Sequence, residues 1–182
     1  MSLLTAASHL SPPNGKTIIT QLKMAGVRVV VSVPDIVTSD ALLWPISKDP
    51  DFQLIRVCKE DEGISICAAL SYSNKRALLL MQQTGLTDSL NAIRAIAMDY
   101  HLPVCMMVGL QGKAADETIF ESTSYGVRII PAILNVMALT NISINSDADT
   151  CKIGAAIDTA YETGDALCLL VGQSPVKPLE DV

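Results

Sequence analysis

The sequence predicts an α/β domain: a doubly wound parallel sheet with helices on both faces. Three observations lead there. Apolar runs of strand length recur at residues 27–33, 52–58, 77–82, 104–109 and 166–171. Most of these runs are apolar at nearly every position and not at alternate ones, as strands covered on both faces are. Stretches with apolar residues at helical spacing separate them, and strands that alternate with helices assemble into a parallel sheet between two helical layers.

The elements follow in order. Pro12, Pro13, Asn14 and Gly15 form a turn signal ahead of a helix over 17–25, where Ile18, Ile19, Leu22 and Ala25 repeat at helical spacing and Gly26 stops them. The strand at 27–33 is closed by Pro34-Asp35. A helix over 38–47 carries the single Trp44, expected in the core or an interface. Strand 52–58 runs into a helix from Glu62, then come strand 77–82, a loop over 82–88 with Gly85, and a helix over 88–99. Strand 104–109 is followed by a polar loop at 111–118 and a helix over 128–139 bent near Pro131. The last unit is a helix over 147–163 and strand 166–171. A chain of 182 residues fits one domain. We expect a leader over 1–15, the domain over 16–173 and a loose tail over 174–182.

Composition narrows the function. Hydrophobic residues are 49% and aromatic residues 4%, so the core is aliphatic. No apolar run approaches the roughly 18 residues a membrane span needs. The surplus of apolar residues implies that another subunit covers part of the surface, and self-association is expected. A net charge of -6 without any Lys/Arg cluster argues against a nucleic-acid partner. The five cysteines are odd in number, lack CxxC spacing and mostly fall in apolar stretches, which reads as reduced thiols in the cytoplasm. No signal peptide is visible and no metal-ligand spacing occurs. His9 lies in the leader and His101 at a helix end, so neither is expected to be catalytic.

In doubly wound sheets ligands bind at the carboxyl ends of the strands. The loops at Pro34-Asp35, 59–62, 82–88 and 109–113 should therefore share one rim, and they hold the unusual polar residues. The acidic run Glu60, Asp61, Glu62 at a helix start suits the helix macrodipole without any further role. Gly85 could supply a positive φ and Asp88 a cap, while Asp35 could simply end its strand.

Four stretches then point further: Val33-Pro34-Asp35, EGISICAALSY from Glu62 to Tyr72, MQQTGLTDSLN from Met81 to Asn91, and YHLP at 100–103. Together they resemble the pyrimidine-binding domain of thiamine-diphosphate enzymes, in particular the sulfopyruvate decarboxylase α subunits and the matching half of phosphonopyruvate decarboxylases. The motifs cover roughly 16–112, and the remainder is similar in its pattern of elements.

The resemblance implies that Glu62 contacts N1′ of the cofactor's aminopyrimidine and favours the tautomer whose 4′-nitrogen deprotonates the thiazolium. Glu60 is the competing candidate, and spacing to the paired alanines and to Tyr72 fits Glu62 better. Burial among Ile and Ala would favour a carboxyl's neutral form. The resemblance also places Thr84, Gly85 and Leu86 beside the aminopyrimidine, with Asn91 fixing that loop, and brings Asp35 and Gln111 to the substrate. Gln111 stands where related chains carry Arg, Ile36 where they carry Ser, and Asp88 where Asn is usual, which leaves the substrate open. Lys113 could replace the missing guanidinium.

Thiamine diphosphate is the cofactor so implied. Its diphosphate and Mg²⁺ are held in such enzymes by a GDG motif and a later Asn; the nearest string here is Gly164-Asp165-Ala166, with only a short stretch after it. The expectation is a separate diphosphate-binding subunit holding Mg²⁺, in an assembly of at least α₂β₂. The reaction implied is decarboxylation of a small anionic 2-oxo acid, 3-sulfopyruvate first and 3-phosphonopyruvate second. A non-catalytic scaffold of the same fold is the rival. A flavodoxin-like binder is disfavoured because no Gly-rich phosphate loop follows Val33.

Overall fold

The computed structural model describes residues 11–177; His9, most of the expected leader and the end of the expected tail lie outside the described residues. Helix α1, Gly15–Met24, begins where the Asn14 side chain accepts the backbone N–H groups of Lys16 (2.9 Å) and Thr17 (3.4 Å). Strand β1 is Val29–Ser32. A π-helical turn, Ser39–Leu43, leads into α2, Trp44–Lys48, and β2 is Gln53–Arg56. Then come α3, Glu60–Tyr72, and β3, Ala77–Gln82. Helices α4, Gln83–Asp88, and α5, Leu90–Ala92, follow, the latter continued by a π-helical turn at Ile93–Met98. Strand β4 is Cys105–Gly109, α6 Tyr125–Arg128, α7 Ile130–Val136 and β5 Thr140–Ile144. A 3₁₀ turn, Asp147–Cys151, precedes α8, Lys152–Thr163, and β6 is Leu167–Val171.

The six strands are all parallel, in the order β2-β1-β3-β4-β6-β5. The chain steps outward from β1 to β2 and returns past β1 to β3, so the winding reverses between β1 and β3. That reversal opens a crevice at the carboxyl ends.

The apolar runs divide their side chains between the two faces by the two-residue strand period. Val29, Val31, Leu79, Met81, Met106, Val108, Cys168 and Leu170 meet Ile64, Cys67, Ile93, Ile130 and Leu134 on one face. Val30, Leu78, Leu80, Cys105, Met107, Leu167 and Leu169 meet Ile18, Leu22, Leu42, Ile46, Ile153 and Ile157 on the other.

Three expectations change. The sixth strand, β5, lies in a stretch expected to be a connection; it is an edge strand whose first residues are exposed, so it carries neither a continuous apolar run nor a strong alternation. Residues 83–88, expected to be a loop, form α4 directly off β3, and Gly85 has no positive φ. The tail does not come loose at 174, because Val176 donates to the Pro13 carbonyl (2.7 Å) and accepts from the Gly15 N–H (3.0 Å). Pro12 and Pro13 lack N–H donors of their own, which leaves their stretch open to pairing through its carbonyls. Among the described residues no helix is long and apolar enough to cross a membrane.

Candidate active site

The loops expected to share a rim do so. Parallel register aligns Ser32 with Arg56 and Leu80, and Gln82 with Gly109, so the carboxyl ends of β1 to β4 open on one side of the sheet.

Glu62 is the third residue of α3 and is exposed. Its Oε2 accepts the backbone N–H of Cys58 at 3.1 Å, a reach back across the helix start of the kind that satisfies free amides. Among the described residues no lysine or arginine pairs with it: the neighbouring Lys59 lies 3.8 Å from Asp61, in an exposed pair of small energetic weight. The expected burial among Ile and Ala is therefore not found among the described residues. The helix period is the reason, for Ile64, Cys67 and Ala68 turn inward to the sheet while Glu62, Ser65 and Ala69 turn outward.

Glu60 takes a different place. A Cβ built on Gly85 would lie 2.3 Å from its Oε1 and 2.4 Å from its Cγ and Cδ, so the Glu60 side chain lies directly over Gly85. A side chain at 85 would have to push the Glu60 side chain aside, and the glycine here serves no turn. Thr84 is exposed beside it and Leu86 is buried.

Asn91 does not fix the α4 segment; its Oδ1 accepts from Arg94 Nη2 at 3.0 Å, one turn on. That task falls to Gln83, which sequence reasoning missed. The buried Gln83 amide donates to the Gln111 carbonyl (3.0 Å) and accepts the Gln111 N–H (2.9 Å), clasping the end of β3 to the loop after β4. The signal was present as an amide immediately after an apolar strand, where only paired polar groups are tolerated. Gln82 donates in turn to the Gln111 side chain, so Gln111 stays at the rim with its amide engaged.

Asp35, expected at the substrate, is buried and fully engaged by its own loop. Its Oδ1 accepts the N–H groups of Val37 (2.7 Å) and Thr38 (2.9 Å), and its Oδ2 accepts the Thr38 hydroxyl. It shapes the turn after β1, as a strand-ending Asx residue does. The string Gly164-Asp165 lies elsewhere: Gly164, at φ 79°, caps the end of α8 and Asp165 precedes β6, at the opposite end of the sheet from Glu62. Among the described residues no three His, Cys, Asp or Glu side chains gather as a metal site.

No family model matches the chain. It is similar to the sulfopyruvate decarboxylase subunit alpha of Methanothermobacter thermautotrophicus, 28% identical over 154 residues, which is 84% of this chain and 92% of that one. The sulfopyruvate decarboxylase subunit alpha of Methanococcus maripaludis is 34% identical over 88 residues, 48% of this chain and 52% of that one. The solved structure of benzoylformate decarboxylase from Polynucleobacter necessarius matches 94% of this chain with a TM-score of 0.67 at 15% identity, and this chain spans 32% of it. In sequence the chain is thus a relative of the sulfopyruvate decarboxylase α subunits, and in fold it is like one third of a larger decarboxylase chain.

Proposed function

We propose that residues 16–173 form the pyrimidine-binding domain of a thiamine-diphosphate-dependent 2-oxo acid decarboxylase. The chain is its α subunit, acting in the cytoplasm on 3-sulfopyruvate to give sulfoacetaldehyde and CO₂. The observation that carries this is Glu62, a carboxylate open at the carboxyl-end rim with no cation bonded to it. Similarity over nearly the whole of a sulfopyruvate decarboxylase α subunit supports the same reading.

The donor set suits one end of the cofactor. Glu62 would offer a carboxyl group to N1′ of the aminopyrimidine, with the exposed Thr84 of the neighbouring α4 on that side, while Gly85 lies under Glu60 and Leu86 is buried. Among the described residues the Gly-Asp string does not serve the diphosphate end, since it caps a helix at the far end of the sheet. We assign the diphosphate and Mg²⁺ to a separate subunit, with the site completed at the interface. When bound, thiamine diphosphate supplies the carbon nucleophile and electron sink that let CO₂ leave.

The chain's own residues do the rest. Glu62 holds and returns the proton at N1′, a task that needs water kept away. Asp35 and Gln83 hold the loops after β1 and β4 in place on the same rim. Near the substrate the chain presents neutral amides, Gln82 and Gln111, together with Lys113, whose ammonium group donates to the Ala114 carbonyl (2.9 Å). A sulfonate is held best by a cation, so the partner must contribute one or Lys113 must turn.

The test is co-purification with the product of a neighbouring reading frame that carries GDG and a later Asn. A panel of 2-oxo acids, 3-phosphonopyruvate included, then follows with CO₂ release as the readout. Sulfopyruvate turnover only by the mixed assembly is expected. Tight Mg²⁺-dependent binding of thiamine diphosphate by this chain alone would overturn the half-site assignment, and an inactive mixed assembly would favour the scaffold.

A further inference from the structure

At the amino ends of β1, β2 and β3, opposite the Glu62 rim, lies a cavity of about 650 Å³ lined by Arg28, Lys75, Arg76, Asn74, Phe52 and Gln53 among others. Its construction follows from the sheet register. Val29 pairs with both Ala77 and Gln53, so Arg28 lies between Arg76 and Phe52, and the Arg28 N–H donates to the Arg76 carbonyl at 3.3 Å.

Two arginines thereby start from neighbouring positions on adjacent strands, whose backbones run about 5 Å apart; Arg76 is already paired with Asp158 and lies over the Tyr161 ring, while Arg28 has no such charge partner among the described residues. Each is fixed by one nitrogen only. Arg28 Nη1 donates to the carbonyls of Lys23 (2.9 Å) and Val27 (2.8 Å), while Arg76 Nη1 donates to the Ala25 carbonyl (2.7 Å) and to Asp158. These bonds cap the end of α1 and hold both side chains still. They leave the Nε and Nη2 edges without bonds among the described residues. One carboxylate, Asp51, lines the cavity too, but it is paired with Lys23 at 2.7 Å, as Asp49 is at 2.6 Å, and Asp158 is paired with Arg76. Arg28 and Lys75 have no carboxylate partner among the described residues, in a chain whose net charge is -6.

We propose that this cavity is a second binding site, for a phosphorylated small molecule. Its phosphate oxygens bridge Arg28, Lys75 and the free edge of Arg76, and its organic part lies against Phe52 and Pro50. Preorganised guanidinium edges suit phosphate oxygens, and the volume is that of a small-ligand pocket. The site does not depend on the decarboxylase assignment.

The experiment is calorimetric titration of the full chain with inorganic phosphate, pyrophosphate and ADP at matched ionic strength, with thermal unfolding as a check that every variant is folded. Saturable one-to-one binding of pyrophosphate and tighter binding of ADP are expected. Arg28→Gln and Lys75→Gln should each weaken both by tenfold or more, while Lys48→Gln, outside the cavity, should leave them unchanged. Phe52→Leu should remove the advantage of ADP. No saturable binding, or equal binding by Arg28→Gln and Lys75→Gln, would overturn the site as mere ionic screening. Pyrophosphate binding as tightly as ADP would overturn the role given to Phe52.

Discussion

Gly63, next to the candidate acid, is where α3 touches β3. A Cβ built there would lie 2.5 Å from Leu79 Cδ1, 3.2 Å from Cδ2 and 3.4 Å from Cγ. Leu79 is fully buried in a central strand, paired in register with Val31 on one side and Met106 on the other, so its side chain has little room to turn. Gly63→Ala therefore sets two terms against each other. Alanine gains about 0.5–1 kcal/mol over glycine in a helix interior, while an added methyl in a packed core costs about 1–3 kcal/mol. The net expectation is a destabilisation of about 0.5–2 kcal/mol, or a few degrees in Tm for a domain of this size. Urea unfolding of the full chain should show a lower midpoint at unchanged m. Leu79→Val shortens the obstructing side chain, so the double variant should be more stable than the sum of the singles by about 1 kcal/mol. A Gly63→Ala chain at least as stable as the parent would refute the close approach of helix to sheet.

Four other outcomes follow from the same geometry. In the reconstituted assembly, Glu62→Gln should lower kcat by about 10²–10⁴-fold with assembly intact, because the amide keeps the size and loses the exchangeable proton. Glu60→Gln should change kcat by less than about tenfold, since the amide still covers Gly85; a collapse confined to this variant would mean the acid is misplaced. Gln83→Ala should cost about 1–3 kcal/mol in chemical unfolding by leaving the Gln111 N–H and carbonyl unpaired. Burial pushes the thiols of Cys67, Cys105 and Cys168 up to about 12, so only the exposed Cys58 and Cys151 should react with a thiol reagent in the native chain at pH 8. The unfolded chain releases those three protons from about pH 9, and the stability they add is present below that and falls as pH rises toward 12, by up to about 1.4 kcal/mol per pH unit for each thiol.

The strands buried on both faces were legible because a continuous apolar run is itself the statement that water is excluded from both sides. The run at 77–82 matches β3 residue for residue. Edge strand β5 was not legible, since one side of it needs no apolar partner and Thr140-Asn141 can remain exposed. The rim was legible from strand ends alone, as was the place of Glu62 at a strand-to-helix junction. The side-chain roles on that rim were not. Whether Asp35 faces a ligand or its own backbone depends on where the N–H groups of Val37 and Thr38 point, which no local pattern specifies. The Gln83 clasp spans 28 residues of sequence and depends on β3 and β4 being neighbours, a fact of topology.

The exposure of Glu62 bears on the partner. A carboxyl group that must keep or return a proton in the working range needs to be shielded from water. Among the described residues nothing buries it, because the apolar neighbours in sequence face the sheet. The residues beside it on the outward face of α3 are small or half-buried, Ser65, Ile66 and Ala69, ending at Tyr72, which is 82% exposed. Such a face costs little to desolvate, as only the Ser65 hydroxyl interrupts it, and that hydroxyl already donates to the Asp61 carbonyl at 3.2 Å. A second subunit laid along α3 would therefore cover an apolar stripe and shield the carboxyl group in a single act. On that account assembly and activation of the acid are one event, and Ala69→Glu on the same stripe should abolish both sulfopyruvate turnover and co-purification while leaving the isolated chain folded. Turnover that persists in Ala69→Glu would show that the acid is shielded from another direction.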